Sequence, residues 1–148
     1  MISTWTTVDV PPGNNASSPD AACQESGTAW RTPTQEDWSA IYKGGLTSGG
    51  PDVATANTWS WHRHTNVNTS GGMQIRPDNA TTTLFLPANG LRHSGSGLQY
   101  YQSSSGYYWS SSIIATNAYY LGFFDSYVNP ANNTSRAYGL ALRCIKQH

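Results

Sequence analysis

Residues 117–127 read Asn-Ala-Tyr-Tyr-Leu-Gly-Phe-Phe-Asp-Ser-Tyr, and our interpretation of the whole chain starts from this stretch. As a β-strand it would alternate its side chains between two faces. Period-two alternation gives Tyr119, Leu121 and Phe123 on one face, and Tyr120, Gly122 and Phe124 on the other. If one face belongs to the core, the other lies at the surface.

The second of these faces carries large aromatic side chains. Tyr120 and Phe124 are costly to leave in water, and Asp125 and Tyr127 follow them closely. Because tyrosine supplies a large, rigid contact area with a polar tip, this composition is typical of binding sites. The alternative interpretation is a strand that is buried on both faces and aromatic on each.

The composition of the chain limits the class of its partners. Its 148 residues have the length of one domain, and they include eight basic and eight acidic residues, with 11% charged residues in all. This balance predicts no binding to nucleic acid or to an anionic membrane. Abundant glycine and aromatic residues with few charges are typical of a loop-rich extracellular or virion domain. No run of about 18 apolar residues occurs, so we expect no direct membrane insertion by this segment.

The first residues of the chain lack the basic and apolar pattern of a signal peptide. We therefore interpret the start as a boundary within a longer protein, or as a chain exported by another route.

The two cysteines, Cys23 and Cys144, stand near opposite ends of the chain. Domain ends commonly lie close together at the surface, so we expect a disulfide between them and an oxidising compartment. The alternative is two unrelated buried thiols.

The first third of the chain predicts an extension and a helix. Residues 1–22 are interpreted as an N-terminal extension with an edge strand at residues 5–10. A short amphipathic helix is predicted with Thr32 as its N-cap, Pro33 at its first position and Gln35 closing a capping box. A glycine pair ends it.

Later segments predict short antiparallel strands joined by long loops. Residues 81–87 are expected to form a central strand, residues 107–111 a further strand, and residues 138–145 the last strand, with Leu140, Leu142 and Cys144 alternating inward. The chain is therefore predicted to be an α+β domain with one or two early helices.

Two histidines, His62 and His64, would share one face of a strand, opposite Trp59, Trp61 and Arg63. Two histidines at this spacing can bind a metal, but no Cys, Asp or Glu with ligand spacing accompanies them. We therefore expect no metal site and no cofactor.

Three motifs, taken in order, resemble one known family. They are Trp30-Arg31-Thr32-Pro33-Thr34 with Trp38, Gly106-Tyr107-Tyr108-Trp109-Ser110-Ser111, and Arg136-Ala137-Tyr138-Gly139-Leu140 with Leu142-Arg143-Cys144. The family is the C-type-lectin-fold family that includes paralogous surface domains of Bacteroidetes and the variable proteins of diversity-generating retroelements. The similarity extends from about Cys23 to Ile145. It implies a C-type lectin fold over residues 23–148, with both cysteines near the domain ends.

The retroelement branch fits better because of the composition of residues 110–142. In that family an Asn-rich template is copied with errors at adenines, so variable positions take only residues that NNY codons encode. Trp, Gln, Lys, Glu and Met are then unreachable; residues 110–142 contain none of them, although they occur through the rest of the chain. The resemblance therefore implies a variable region at about residues 106–144.

This argument separates displayed, ligand-binding positions from scaffold positions. The displayed positions are Ile113, Asn117, Tyr120, Gly122, Phe124, Asp125, Tyr127, Asn133, Thr134, Ser135, Tyr138 and Ala141. The expected scaffold positions are Ala118, Tyr119, Leu121, Phe123, Arg136, Gly139 and Leu142. The alternative is an ordinary paralogous domain with an Asn-rich loop that is not diversified.

The resemblance implies a ligand-binding module for receptor recognition or adhesion. Its partner would be an unknown protein or glycan on another cell or host surface, and its location extracellular, on a bacterial cell or a phage virion. The alternatives are a fixed adhesin or pilus-tip domain, and a calcium-dependent sugar-binding lectin, for which residues 76–79 are the only hint.

An enzyme is not expected. Formylglycine-generating oxidases share the implied fold, but they need a reactive cysteine pair. Here the two cysteines are expected to form a structural disulfide instead. No paired carboxylates, Ser/His/Asp spacing or Gly-rich phosphate loop stands out, so we predict no catalytic residues.

Overall fold

A computed structural model of the protein describes Cys23 and residues 29–42, 57–63, 71–77 and 83–146. The predicted extension at residues 1–22, with its edge strand, lies outside the described residues. One helix and ten strands are defined in the described part, and their order fits the predicted α+β class. They are β1 (Trp30–Arg31), α1 (Gln35–Tyr42), β2 (Asn57–His62), β3 (Gly72–Pro77), β4 (Leu84–Pro87), β5 (Leu91–Arg92), β6 (Gln99–Tyr100), β7 (Ser105–Ile114), β8 (Asn117–Phe124), β9 (Tyr127–Ser135) and β10 (Ile145–Lys146).

Two three-stranded antiparallel sheets form the body of the domain. One has the strand order β7-β8-β9 and the other the order β2-β3-β4. Two-stranded antiparallel pairs, β1-β10 and β5-β6, complete the described strands. Residues between β9 and β10 connect these parts, because Ala141 bridges Tyr108 of β7 and Gly139 bridges Arg92 of β5.

The core is built from α1 and from both three-stranded sheets. Its members are Trp38, Tyr42, Trp59, Met73, Ile75, Leu86, Ala88, Tyr108, Leu121, Phe123 and Val128. On β8, Leu121 and Phe123 are buried, which confirms the core face predicted from alternation, whereas Tyr119 is only half-buried. The strand is therefore not aromatic and buried on both faces, since Phe124 on the other side is 42% exposed.

Helix α1 begins later than the sequence predicted. Its cap is Thr34, whose hydroxyl accepts the backbone N–H of Asp37 at 3.1 Å, while the Asp37 carboxylate accepts the backbone N–H of Thr34 at 2.7 Å. This is a capping box two residues downstream of the predicted one. Thr32 is instead buried, with its hydroxyl 3.7 Å from the sulfur of Cys23, so the predicted cap at Thr32 is wrong.

A bulge in β7 forms hydrogen bonds with the start of the helix. The β7-β8 register shifts between Trp109 and Ile113, which frees the serines between them from strict pairing. The backbone N–H of Ser111 donates to the carbonyl of Pro33 at 2.8 Å, and the hydroxyl of Ser112 accepts the N–H of Gln35 at 3.0 Å. The serine run therefore satisfies backbone groups at the helix entrance that would otherwise need water.

The sheet of β2, β3 and β4 differs from the prediction in two ways. Residues 84–87 form β4 at an edge of their sheet, not a central strand, because β3 lies between β2 and β4. Strand β3 was not predicted, since its sequence Gly-Met-Gln-Ile-Arg-Pro has weak apolar alternation.

The predicted last strand, residues 138–145, is also not continuous. Gly139 donates to the carbonyl of Arg92, whereas Ala141 donates to the carbonyl of Tyr107 two residues later. The chain therefore changes neighbours from β5 to β7, and only Ile145 and Lys146 form a regular strand, against β1.

The predicted disulfide is confirmed. Cys23 and Cys144 are bonded, with a Cα–Cα distance of 5.6 Å across a sequence separation of 121. Cys144 immediately precedes β10, so the bond stands beside the β1-β10 pair and joins the two ends of the described fold. No helix in the described part of the chain is long and apolar enough to cross a membrane.

Candidate ligand-binding surface

An aromatic surface begins where β7 and β8 pair. Tyr107 stands opposite Gly122 in the register, and a glycine there leaves room for neighbouring rings. The ring of Tyr107 lies 5.8 Å from that of Tyr120, centroid to centroid, and both side chains are half-buried. These rings lie on the side of the sheet away from Leu121 and Phe123, as the alternation predicts.

A stacked pair continues this surface at the β8-β9 hairpin. Phe124 and Tyr127 face each other across a turn of two residues, Asp125 and Ser126. Their ring centroids are 4.9 Å apart and their planes differ by 9°. The stack fixes both rings in place although Phe124 is 42% exposed.

A small cavity lies among these rings. Its volume is about 270 Å³, and its lining residues are Tyr107, Tyr120, Gly122, Phe123, Phe124, Tyr127 and Asn132. Asn129 fixes one rim, because its amide donates to the hydroxyl of Tyr127 at 3.0 Å and to the amide oxygen of Asn132 at 2.9 Å. The cavity thus offers aromatic walls and amide groups, and the described residues of its lining include no charged side chain.

The aromatic surface extends beyond the hairpin through residues that lie outside the predicted displayed set. Successive ring centroids are 6.2 Å apart from Tyr107 to Tyr101, 6.2 Å from Tyr101 to Tyr100, and 6.1 Å from Tyr100 to His93. His93 in turn lies 5.3 Å from Tyr138. We call the whole set the aromatic band: Tyr138, His93, Tyr100, Tyr101, Tyr107, Tyr120, Phe124 and Tyr127.

A strained turn places the middle of the band. Tyr101 and Ser103 have left-handed backbone angles, with φ of 61° and 64°, which non-glycine residues rarely adopt. The turn is held by backbone bonds from Ser103 N to the carbonyl of Ala88 at 2.7 Å and from Ser105 N to the carbonyl of Tyr101 at 3.0 Å. Strain of this kind persists where the surroundings enforce it and is often found at functional sites.

The tyrosines at the centre of the band are uncharged donors. Burial raises the pKa of Tyr107, with Tyr101 acting in the same direction and the Ser105 hydroxyl against it. Burial also raises the pKa of Tyr120 to about 12, with smaller contributions from Tyr107 and Tyr127. Both phenols therefore remain protonated throughout the physiological pH range and can donate or accept hydrogen bonds.

A second, larger cavity adjoins the band at Phe124. Its volume is about 450 Å³ and it is lined by Trp61, Arg63, Ser103, Ser104, Ser105, Phe124 and Asp125. Phe124 therefore lines both cavities, and the described lining of the larger one carries a charge of each sign.

The structure brings some of the predicted displayed positions together. Tyr120, Gly122, Phe124, Asp125 and Tyr127 surround the two cavities. Tyr138 lies at the far end of the band, through its contact with His93.

A second group of predicted positions lies at the opposite end of the same sheet. They are Ile113, Asn117, Asn133, Thr134 and Ser135, around the β7-β8 turn. Asn117 and Asn133 are joined by a side-chain hydrogen bond of 2.9 Å, and Ile113 is 51% exposed. Strand β8 separates this group from Phe124 by roughly 20 Å at the usual rise per residue, so one small ligand cannot contact both.

Ala141 belongs to neither group. It is half-buried and packs against the core, and its backbone N–H and carbonyl bond to Tyr107 and Trp109.

Sequence reasoning missed four members of the band: His93, Tyr100, Tyr101 and Tyr107. The available signal was the density of tyrosines around the start of the variable region, with Tyr100 and Tyr101 just before it and Tyr107 just inside it. Alternation within one strand could not join them to Tyr120, because the contacts run from β6 and the turn after it, through Tyr107 in β7, to β8.

No group of three His, Cys, Asp or Glu side chains among the described residues could hold a metal ion. His62 bonds to the side chain of Gln74 at 2.7 Å. His64 and residues 78–79, which gave the hint of a calcium site, lie outside the described residues.

Fold and site together define a disulfide-closed α+β domain with an extended aromatic surface and two adjoining cavities. Comparison with known proteins finds no matching family model, no similar curated protein and no matching solved structure.

Proposed function

We propose that this chain is a ligand-binding module for receptor recognition or adhesion, and that the aromatic band is its binding surface. The observation that carries the proposal is the continuity of the band. Six of its rings, from Tyr138 to Tyr120, contact one another in series, and the stacked pair of Phe124 and Tyr127 shares the smaller cavity with Tyr107 and Tyr120. None of these rings belongs to the hydrophobic core.

Solvent-exposed rings in such number are unfavourable in water unless a partner covers them. Tyr100 and Tyr101 are 43% and 58% exposed, so burial by a partner would remove a large apolar area from water. Aromatic side chains that are already fixed by stacking lose little entropy on binding, and they commonly dominate the energy of an interface. The partner we propose is a protein or glycan on another cell or host surface.

We further propose that the module is a C-type-lectin-fold variable protein of a diversity-generating retroelement, exposed on a bacterial cell or a phage virion. The separation of the two faces of β8 supports this. Leu121 and Phe123 carry the core contacts, so substitutions at Tyr120, Gly122 and Phe124 would alter the cavities without altering the core.

The diversification part is tested by genomic sequencing. We expect a near-repeat of the DNA that encodes residues 106–144, close to a reverse-transcriptase gene, with differences at adenines of the repeat. Absence of such a repeat would remove the diversification proposal and leave a fixed adhesin or pilus-tip domain.

The binding part is tested with a printed glycan array and a panel of intact bacterial cells as probes. The double variant Tyr107→Ala and Tyr120→Ala should lose at least about tenfold in binding, because it removes the centre of the band. Tyr119→Ala is the matched control, since Tyr119 is also half-buried but makes no ring contact within the described residues. Equal binding by the double variant and the control would contradict the proposed surface.

A further inference from the structure

The larger cavity is built mainly by residues outside the predicted variable segment. Trp61 lies in β2, Arg63 follows that strand, and Ser103, Ser104 and Ser105 belong to the turn that leads into β7. Phe124 and Asp125 supply the opposite wall from the β8-β9 hairpin. A ligand group in this cavity would contact a constant wall and a variable wall at once. We call it the charged cavity.

Two side chains of opposite charge line the charged cavity. Arg63 and Asp125 are both exposed, and neither forms a salt bridge with another residue that the structure describes. A guanidinium matches the planar geometry of a carboxylate or phosphate, and a carboxylate favours an ammonium group. The two side chains therefore offer complementary sites for a group that itself carries both charges.

The walls of the charged cavity suit the same kind of group. Trp61 packs edge-on against the buried ring of Phe123, at 6.5 Å, and Phe124 is held by its stack with Tyr127. Aromatic faces fixed in this way attract ammonium groups through their quadrupole. The Ser103 hydroxyl can donate to an oxyanion, whereas the Ser104 hydroxyl already donates to the carbonyl of Tyr101 at 3.0 Å and the Ser105 hydroxyl bonds to Tyr107. The turn that carries Ser103 is fixed by the 2.7 Å bond from its backbone N–H to the carbonyl of Ala88.

We propose that the charged cavity binds a compact zwitterion, in which an alkylammonium group is joined to a carboxylate or phosphate. Arg63 and the Ser103 hydroxyl bind the oxyanion, and Asp125 with Trp61 and Phe124 binds the ammonium. The proposal rests on the proposed function, because the zwitterion would be one part of the ligand that the aromatic band contacts.

The test titrates the full chain with phosphocholine and with glycine betaine, and follows the indole N–H signal of Trp61 by NMR. The signal is assigned by its loss in Trp61→Phe. We expect at least one of the two zwitterions to bind with a Kd of roughly 1 mM, as is typical of a ligand with so few atoms. Choline alone and inorganic phosphate alone, at the same ionic strength, should bind at least about tenfold more weakly, because each satisfies only one charge.

Two variants test whether Arg63 and Asp125 bind the charged groups of the zwitterion. Arg63→Gln and Asp125→Asn should each weaken binding of the zwitterion by about tenfold, while Arg76→Gln, at another exposed arginine, should leave it unchanged. Vesicles of phosphatidylcholine then separate two sources of the group. Co-sedimentation with the vesicles indicates a lipid headgroup, and binding of the soluble zwitterion alone indicates a modified glycan or protein.

Several results would overturn the proposal. One is a Trp61 signal that stays unchanged at about 10 mM of either zwitterion. A second is binding of choline alone or phosphate alone as tight as that of the zwitterions. A third is no effect of Arg63→Gln, as expected if Arg63 and Asp125 form an ion pair with each other and neither binds the ligand. Binding of a neutral methyl glycoside in place of the zwitterions would make the cavity a sugar site. If the Tyr107 and Tyr120 double variant still loses binding to cells or glycans, the proposed function stands and only the zwitterion proposal fails.

Discussion

Gly106 and Gly122 lie on opposite faces of the β7-β8 pair and meet different surroundings. A Cβ atom on Gly106 would overlap the ring of Phe123, which is buried in the core. A Cβ atom on Gly122 would lie 2.9 Å from Tyr120 and 3.0 Å from the side-chain nitrogen of Asn132. The first neighbour cannot move without disturbing the core, whereas the second pair consists of side-chain ends at a cavity.

We therefore expect unequal costs from the same substitution. Gly106→Ala should lower the free energy of unfolding by about 1–3 kcal/mol, since overpacked cores shift rings and backbone. Gly122→Ala should cost less than about 1 kcal/mol but narrow the smaller cavity. Urea denaturation measures both, and equal losses would contradict the assignment of the two faces.

The carboxylate of Asp37 accepts several hydrogen bonds at the start of α1. It accepts from Arg31 at 2.6 Å, and from the backbone and hydroxyl of Thr34 at 2.7 and 2.9 Å. Partial burial acts to raise the pKa of Asp37, but the bonds from Arg31 and Thr34 together lower it below its usual value. A carboxyl whose pKa is lowered by folding stabilises the protein above its unfolded pKa and loses that contribution as the pH falls through the folded pKa.

Asp37→Asn should therefore cost about 1 kcal/mol at neutral pH, the usual value of a lost helix cap. The difference from the wild type should shrink as the pH falls below about 4, the unfolded pKa of aspartate. Glu36→Gln is the control, because Glu36 is exposed in the same turn. Thermal unfolding at a series of pH values checks this, and a constant difference at every pH would show that the carboxylate charge is not involved.

At the scale of elements, the β7-β8 hairpin has a strained turn. Ala115 has a φ of 50°, in the left-handed region where an alanine Cβ is strained. Asparagine adopts this region more readily, so Ala115→Asn should raise the free energy of unfolding by about 0.5–1 kcal/mol. Thr116→Asn, at the next residue, has no such strain to relieve and is the matched control. Chemical denaturation measures the free energy of unfolding of both variants. If Ala115→Asn is no more stable than the wild type, the turn is not strained at Ala115.

The elements also show which local predictions hold. The helix was predictable because Trp38 and Tyr42 have the spacing of a buried helical stripe, but its cap was misplaced by two residues. Thr32 and Thr34 are both acceptable caps in sequence. The choice between them depends on Ser111 and Ser112, which bond to Pro33 and Gln35 from a distant strand.

At the scale of the whole molecule, the disulfide ties the two ends of the fold. Closing so long a loop removes much of the entropy of the unfolded chain, for which loop-closure theory gives an upper figure of about 4–5 kcal/mol. The double variant Cys23→Ser and Cys144→Ser should lose about 2–5 kcal/mol of unfolding free energy. Binding at the aromatic band should survive wherever the variant stays folded, because the bond lies beside the β1-β10 pair. Urea denaturation measures the loss, and a double variant as stable as the wild type would contradict the stabilising effect of the disulfide.

Calcium dependence distinguishes the proposed surface from a calcium-dependent lectin. The described residues that line the cavities are aromatic residues, serines, a glycine, an asparagine and Arg63, and Asp125 is the only carboxylate among them. Calcium prefers six to eight oxygen ligands, so we expect binding to cells or glycans to be unchanged by EDTA. Loss of binding with EDTA, restored by added calcium, would favour the lectin alternative.

The sequence alone determined the features that depend on near neighbours or on chemistry: the α+β class, the two faces of β8, and the pairing of two cysteines near the chain ends. Only the tertiary structure decided what distant segments build together. It joined His93, Tyr100, Tyr101 and Tyr107 to Tyr120 in one band, and it separated Ile113 and Asn133 from Phe124 by the length of a strand. The physical reason is that alternation fixes which face a side chain occupies, whereas register, bulges and long-range hydrogen bonds fix which side chains on that face meet.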